Sequence, residues 1–179
     1  LEQAQKEKYR QICEKLKLNS RDSLLEIGSG WGAFAIFAVK NYGCKVSTIT
    51  ISKKQYSLAK EKIKQEGLED KIDIKLEDYR NLEGSYDKIV SIEMMEALGH
   101  EYVPLFLSKC NKLLKKGGMI CYQCITIPDE IFREYLRNNN YIKKYIFPGG
   151  ELISLGALRE NIEKSKELDI VSLESIGLL

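Results

Sequence analysis

The sequence has no block of like charge and no long apolar run. Lysine and arginine together number 28 and aspartate and glutamate 26, and both kinds are spread along the chain, so no basic stretch indicates a nucleic-acid partner. No apolar run approaches the roughly 20 residues of a membrane span, and the charged first residues lack the pattern of a signal peptide. We expect a soluble, cytoplasmic chain whose partner is a small molecule or a lipid surface.

Histidine is scarce, and cysteine is present in an odd number. The only histidine is His100, against five cysteines that sit among apolar residues. This pattern is typical of reduced core thiols in a reducing compartment. Cys121 and Cys124 have CxxC spacing, but residues three apart on a strand face opposite sides and cannot close on one metal ion. We therefore expect no metal site, and His100 is interpreted as a surface or packing residue.

The composition fits one globular domain. With 179 residues, of which 44% are hydrophobic, the chain can build a core without disulfides or metals. No internal repeat or linker divides it, so we expect a single domain over residues 1–179. The chain opens without methionine and stops just as a predicted strand ends, which indicates truncation at both ends.

Apolar periodicity predicts strands that alternate with helices. The predicted strands cover residues 23–27, 45–50, 72–76, 86–92 and 119–125, and the predicted helices cover 3–18, a segment from 34 onward, 53–65 and 103–114, with a turn at 115–118. Strands separated by helices predict a mostly parallel, doubly wound α/β sheet with helices on both faces, which is a Rossmann-like fold.

The pattern changes after residue 125. A helix that ends near 137, a break at 138–140 and a segment at 141–147 lead to a helix over 155–167 and a last strand over 169–173. We interpret residues 128–167 as a helical insertion over the carboxyl edge of the sheet, where substrate enters.

A glycine-rich turn follows the first strand and carries the main functional signal. Its residues are Glu26, Ile27, Gly28, Ser29, Gly30, Trp31 and Gly32. The glycines let the backbone approach a ligand closely, but the third comes one residue too early for the GxGxxG pattern of dinucleotide sites. S-adenosylmethionine has no phosphate and needs only this close approach, so we predict it as the cofactor, with Glu26 facing its amino group directly or through water. An NAD-dependent oxidoreductase is the less favoured reading.

Other strand ends extend the predicted cofactor site. No acid follows the second strand to hold ribose hydroxyls, so Thr50 and Gln55 are the candidates there, while Ser52 is also a good helix cap. Asp78 and Tyr79 offer a carboxylate and a ring edge for adenine, or else form a polar turn. Two further residues at strand ends complete the predicted set, namely Ile51 and Ile92.

Six segments of the chain resemble the cyclopropane fatty acid synthase family of methyltransferases, which includes the mycolic acid and plant cyclopropane synthases. They are residues 26–32, 49–52 with Gln55, 78–80, 93–102, 125–129 and 145–150, in family order over nearly the whole chain. The segments Glu-Ala-Leu-Gly-His-Glu-Tyr and Tyr-Ile-Phe-Pro-Gly-Gly are the most specific to this family.

The resemblance implies methylene transfer from S-adenosylmethionine to the cis double bond of a phospholipid acyl chain. The alkene attacks the sulfonium methyl, a carbocation forms, and loss of a proton closes the ring, with bound bicarbonate as the proton acceptor. Glu96 matches the glutamate that helps to hold this ion, and Gln123 and Ile125 match positions where some relatives have histidine and isoleucine. Gln123 cannot titrate near neutral pH. The alternative interpretation of Glu96 is an acid at the start of a helix that interacts with the helix dipole.

The insertion interleaves aromatic and basic residues. They are Phe132, Arg133, Tyr135, Arg137, Tyr141, Lys143, Lys144, Tyr145 and Phe147. Such a face either rests on anionic lipid headgroups, as a peripheral protein does, or forms a lid on the core. A homodimer is left open. The alternatives in function are a small-molecule N- or C-methyltransferase and a non-catalytic module that binds S-adenosylmethionine.

Overall fold

The computed structural model describes residues 2–137 and 150–176, and a parallel sheet forms its centre. The strands of this sheet are β1 (Ser23–Ile27), β2 (Lys45–Thr50), β3 (Ile72–Leu76), β4 (Tyr86–Ile92) and β5 (Leu114–Gln123). All neighbours pair in parallel, in the order β3–β2–β1–β4–β5. The order reverses between β1 and β4, which is where α/β sheets of this kind bind ligands.

Helices precede, connect and follow these strands. They are α1 (Glu2–Lys15), α2 (Ala33–Tyr42), α3 (Lys53–Gln65), α4 (Val103–Leu113), α5 (Asp129–Arg137) and α6 (Leu155–Ser165). Parallel neighbours need crossover connections, and α2, α3 and α4 supply them between β1 and β2, β2 and β3, and β4 and β5. The predicted doubly wound α/β class is confirmed.

The described residues divide into two compact units. The first contains residues 2–94 and 112–124, and the second contains residues 95–111, 125–137 and 150–176. The second unit has a small parallel sheet that the sequence did not predict, formed by β6 (Thr126–Ile127) and β7 (Ile153–Ser154). The single domain expected over residues 1–179 stays a prediction.

The core of the first unit lies against one face of the larger sheet. Leu24, Val46 and Val90 lie on that face and are buried together with Leu16, which follows α1, and with apolar residues of the first two helices, namely Ile12, Cys13, Phe34, Ala35, Ala38 and Val39. Burial raises the pKa of the Cys13 thiol to about 12 and that of Cys44 to about 11. These two cysteines are core thiols, as the sequence predicts.

The predicted and observed elements agree for β1 to β4 and for α3, and they differ at β5. This strand begins at Leu114, five residues before the predicted start at Met119. Leu114 pairs with Tyr86 and Met119 pairs with Lys88, so the register shifts there. The predicted turn at residues 115–118 is therefore an irregularity inside a strand, which a local pattern of lysines and glycines does not distinguish from a turn.

The last predicted strand, over residues 169–173, is wrong. Ile170, Val171 and Leu173 are 44%, 82% and 53% exposed, and the described residues contain no strand beyond α6. The adjacent β-branched residues Ile170 and Val171 report only a local preference, and a strand also needs a partner and a buried face. The predicted break at 138–140, the segment at 141–147 and the glycine-rich motif at 145–150, except its last residue, lie outside the described residues.

Asp87 joins the amino ends of three strands. The Ser23 backbone N–H and Oγ donate to Asp87 Oδ2 at 2.9 and 2.6 Å, and the Asp87 N–H donates to Ser23 Oγ at 3.1 Å. Lys115 Nζ lies 2.9 Å from both carboxylate oxygens. The hydrogen bonds from Ser23, followed by Lys115, hold the Asp87 pKa well below its usual range.

Replacing Asp87 with alanine is expected to lower the free energy of unfolding by about 1–3 kcal/mol at pH 7, because the polar groups of Ser23 and Lys115 lose their partner. Urea denaturation measures this, and Asp73→Ala, at an exposed position on β3, serves as the control. The folded-state pKa is depressed, so the contribution is present at neutral pH and is lost as the pH falls below the ordinary pKa of aspartate. If the difference in unfolding free energy between wild type and Asp87→Ala does not become smaller in acid, the ion-pair explanation is contradicted.

Candidate active site

The glycine loop, residues 28–32, leaves β1 with three backbone conformations that favour glycine. Gly28, Gly30 and Gly32 have φ values of 98°, 47° and 83°. A Cβ built on Gly32 would lie 3.0 Å from the Ala59 Cβ, whereas one built on Gly30 would meet no atom of the described residues within 4 Å. The loop thus combines a glycine required for packing with a glycine that faces open space, as close approach by a ligand requires.

The loop is held from below by β2. The backbone N–H groups of Gly28 and Ser29 both donate to the Ile49 carbonyl, at 3.1 and 2.7 Å. Ser29 is buried, and its Oγ donates to the Gly30 carbonyl at 3.1 Å. Trp31 is half exposed in the middle of the turn. The loop therefore has a fixed base and an apolar ring at its rim.

Glu26 is a buried acid directly beneath this loop. It is 2% exposed, and the Thr48 hydroxyl donates to its Oε2 at 2.5 Å. Burial raises the pKa of Glu26 to about 8, and the hydrogen bond from Thr48 opposes this only in part. A cation placed beside the carboxyl group would favour its charged form, so the site is suited to a ligand with an ammonium group.

The end of β2 presents a hydroxyl and an amide together. Thr50 Oγ1 donates to Gln55 Oε1 at 2.7 Å and accepts the Ser52 N–H at 3.1 Å. Ser52 caps α3, since its Oγ accepts the Gln55 N–H at 3.3 Å. Ile51, between them, is 77% exposed. Ser52 is therefore a helix cap, and Thr50 and Gln55 form a polar pair whose contact with ribose hydroxyls stays a prediction.

Asp78 forms the polar turn that the sequence offered as one reading. Its carboxylate accepts the Arg80 backbone N–H at 2.9 Å and forms an ion pair with the guanidinium at 2.7 Å. These contacts lower the Asp78 pKa. Tyr79 begins the short 3₁₀ helix Tyr79–Asn81 that Asp78 caps. The contact of Asp78 and Tyr79 with adenine stays a prediction.

Glu96 belongs to the second unit, in the short 3₁₀ helix Met95–Ala97 that follows β4. The Ile125 N–H donates to its Oε1 at 2.7 Å, and the Glu151 N–H donates to its carbonyl at 2.7 Å. Its Oε2 is buried and has no hydrogen-bond partner among the described residues. The carboxylate is thus anchored by one oxygen, and its other oxygen is left for a group that the described residues do not supply. Ile125 itself is 48% exposed.

Gln123 ends β5, where it pairs with Ile92, the last residue of β4. Its carbonyl accepts the Glu93 N–H at 2.7 Å. The side-chain Oε1 is buried and, within the described part of the chain, finds no hydrogen-bond partner. A buried polar atom of this kind normally has a partner, so an external group at this strand end is a reasonable expectation.

The register brings the predicted cofactor residues to the carboxyl ends of neighbouring strands of the first unit. Sequence reasoning nevertheless missed three residues at this edge: Lys8, Thr48 and Glu93. Thr48 pairs with Glu26 across β1 and β2, and the two-residue alternation with Thr50 could have found it. Glu93 Oε1 lies 3.0 Å from Lys8 Nζ, a contact across 85 positions that carries no local signal.

His100 and the described part of the insertion interact within the second unit. The His100 N–H donates to Glu151 Oε2 at 2.8 Å, and its ring meets Phe132 edge to face, with centroids 6.2 Å apart. The Tyr135 hydroxyl accepts the Leu152 N–H at 3.0 Å. These contacts agree with a packing role for His100, whereas the lid role of the insertion stays a prediction. The remaining predicted insertion residues lie outside the described residues, namely Tyr141, Lys143, Lys144, Tyr145 and Phe147.

Residues 2–137 and 150–176 contain neither a metal-binding cluster nor a helix that could span a membrane. Within them, no group of three or more histidine, cysteine, aspartate or glutamate side chains is arranged to hold a metal ion. No helix there has the length and apolar character needed to cross a membrane.

The chain matches a family and several known proteins over nearly its whole length. The family model described as mycolic acid cyclopropane synthetase matches residues 1–178. A probable fatty acid methyltransferase of Pseudomonas putida is 39% identical over 99% of this chain and 46% of that protein. The cyclopropane-fatty-acyl-phospholipid synthase of Escherichia coli K12 is 36% identical over 91% of this chain and 41% of that protein. The chain thus spans less than half the length of these relatives.

A solved structure supports the same grouping. The mycolic acid cyclopropane synthase CmaA1, crystallised with SAH and CTAB, superposes with a TM-score of 0.81 at 29% identity. The match covers 91% of this chain and 60% of that one. The Rossmann-like arrangement is therefore shared with a protein whose structure contains SAH.

Stability should fall as the pH rises from about 5 to about 8, because the folded state binds a proton at Glu26 that the unfolded chain has already released. Glu26→Gln removes this dependence. The free energy of unfolding of the variant should therefore rise relative to that of the wild type as the pH increases, by at most about 5 kcal/mol. Urea denaturation at several pH values measures the difference. Glu69→Gln, at an exposed position, is the matched control and should follow the wild type. A constant difference between Glu26→Gln and wild type would contradict a protonated Glu26.

Proposed function

The chain belongs to the mycolic acid cyclopropane synthetase family, and we propose that it carries the S-adenosylmethionine-dependent transfer of a one-carbon group to the double bond of an unsaturated acyl chain. The observation that carries this proposal is the glycine loop over the buried Glu26, in a chain that matches the family from end to end. The acyl chain is proposed to belong to a phospholipid, and the product to be a cyclopropane.

The glycine loop fits the proposed donor. When bound, S-adenosylmethionine supplies a methyl group on a positively charged sulfur. The open side of Gly30 leaves room for the methionyl backbone, and Glu26 offers a carboxylate to its ammonium group. Trp31 and Ile51 are exposed apolar side chains on the loops after β1 and β2, and we assign to them contacts with the adenosyl group. Thr50 and Gln55 are the proposed partners of the ribose hydroxyls.

Glu96 is proposed to hold the group that accepts the proton lost in ring closure. A carboxylate repels bicarbonate unless the two share a proton. The buried Oε2, which has no partner in the described part of the chain, fits this condition, because it can accept a hydrogen bond from the bicarbonate hydroxyl while the Ile125 N–H holds Oε1. Gln123 can hydrogen-bond an anion but takes up no proton, so its proposed role is orientation.

Exposed apolar side chains support a lipid substrate. Tyr102, Leu105, Ile125 and Ile131 of the second unit are 47–50% exposed. The described part of α5 carries three acids and two arginines, so attraction to anionic headgroups does not come from this helix. Peripheral association with a membrane is therefore proposed on apolar contact.

Expression of the full-length protein in a bacterium with monounsaturated phospholipids tests the function. The expected product carries one additional CH₂ group and resists mild hydrogenation, as lipid mass spectrometry detects. Methylation of an amine library with unchanged lipids would instead establish a small-molecule methyltransferase.

Glu96→Gln should abolish this product while SAH affinity, measured by calorimetry, stays within about twofold of wild type, because the change affects chemistry rather than donor binding. Glu101→Gln, an exposed acid in the same segment, is the control and should keep full activity. A fully active Glu96→Gln protein would refute the catalytic assignment. A wild-type protein that binds SAH but transfers no methyl group would indicate a binding module.

Gly30→Ala and Gly32→Ala should separate donor binding from folding. The Cβ of Gly30→Ala enters open space, so SAH affinity should fall by about tenfold or more at a modest stability cost of ~1 kcal/mol for the left-handed backbone. The Cβ of Gly32→Ala meets Ala59, so its main effect should be a lower melting temperature. Calorimetry and thermal unfolding of both variants measure these effects, and equal SAH affinities would contradict the assignment of Gly30.

A further inference from the structure

Glu93 has an unusual backbone conformation at a strand end. It follows Ile92, the last residue of β4, and its φ of 50° is in the left-handed region that disfavours side chains. The other described residues of this kind, Lys17 and Lys166, come just after α1 and α6, where such conformations commonly end helices. A left-handed residue after a strand has no such explanation, and it persists only where its surroundings hold it.

Two contacts hold Glu93. Its N–H donates to the Gln123 carbonyl at 2.7 Å, and its carboxylate lies 3.0 Å from Lys8 Nζ. The Lys8 side chain is only 19% exposed, and its ammonium also lies 5.9 Å from the centre of the Tyr9 ring. The Glu93 side chain is 50% exposed, so the Lys8 end of the pair is the shielded one, and removal of Glu93 would leave the Lys8 ammonium without its partner in that place.

The Lys8–Glu93 pair differs from the other ion pairs of α1. Lys6 pairs with Glu2, and Arg10 pairs with Glu7 and Glu14, all between exposed side chains within three or four residues. Such bridges contribute little beyond helix propensity. Only Lys8, among these, contacts a distant strand end.

Helix α1 also borders the proposed donor site. Tyr9 packs edge to face on Phe34 and tilted on Phe37, with centroids 5.5 and 5.7 Å apart. The pKa of Tyr9 is raised by burial and then by the charges of Glu26 and Glu93. The charges of the acid at the exit of β4 and of the acid under the glycine loop thus both act on Tyr9, the neighbour of Lys8 on α1.

We propose that Lys8 and Glu93 are a positioning pair, whose ion pair holds the left-handed backbone at the exit of β4 and with it the hydrogen bond to the Gln123 carbonyl, so that Gln123 keeps its place at the end of β5. The inference rests on the proposed function, in which Gln123 orients the bound anion. Lys8 and Glu93 touch no reacting atom in this proposal, and their effect is on kcat rather than on donor affinity.

A double-mutant cycle in the full-length protein tests the pair. Lys8→Met keeps the apolar stem and should lower kcat for methyl transfer to vesicles of a monounsaturated phosphatidylglycerol by about tenfold or more, since small displacements of catalytic groups are costly. The SAH affinity should stay within about threefold. In a Glu93→Gly background, where the left-handed backbone needs no support, Lys8→Met should change kcat by less than about twofold. Lys6→Met is the matched control on the same helix and should be fully active.

Hydrogen exchange gives a readout that does not need activity. Lys8→Met should accelerate exchange of the amides of residues 93–97, and Lys6→Met should not. The inference is overturned if exchange there is unchanged, if Lys8→Met lowers SAH affinity without affecting kcat, or if its effect is equally large in the Glu93→Gly background. A wild-type protein that leaves the phospholipid unmodified refutes the proposed function instead, and the exchange experiment still decides the inference.

Discussion

The buried carboxyl group of Glu26 is the constraint on which the rest of the site depends. An acid with almost no exposure and one hydroxyl partner destabilises its own ionised form, which is why its pKa rises to about 8. Such a group is retained where a ligand of opposite charge compensates it. The glycine loop above it provides the access, since Gly30 leaves one side of the backbone uncovered. Acid and loop together explain why this strand end is polar in an apolar sheet.

The two ends of the sheet in the first unit differ in whether their polar groups have hydrogen-bond partners among the described residues. At the amino ends, Asp87, Ser23 and Lys115 satisfy one another, so this end is a closed network that contributes to stability. At the carboxyl ends, Gln123 keeps a buried oxygen without a hydrogen bond among the described residues. An unsatisfied group is costly in a core, and one at the ligand-binding end of a parallel sheet indicates a functional site.

Sequence reasoning recovered the sheet because its signals are local. Each strand from β1 to β4 is a short segment rich in apolar or β-branched residues and bounded by turn residues, and Ser52 is a helix cap three residues before the amide it binds. The last predicted strand was wrong because a local β preference had no partner strand, and β5 begins earlier than predicted because a bulge and a turn use the same residues. The Lys8–Glu93 contact spans 85 positions and depends on how α1 packs, so no window along the chain contains it. The buried state of Glu26 was likewise invisible, although its position before the glycines was not.

Charge then discriminates between the cofactors that a glycine loop can serve. A dinucleotide brings a pyrophosphate to the first turn, and a nearby carboxyl group would have to stay protonated to tolerate it. A sulfonium donor brings an ammonium group, which instead favours ionisation of Glu26, so part of the burial cost is recovered on binding. Glu93 adds no net negative charge, because Lys8 neutralises it at 3.0 Å. The site thus carries one acid whose charge depends on the ligand, and this favours a cationic amino-acid donor over an anionic one.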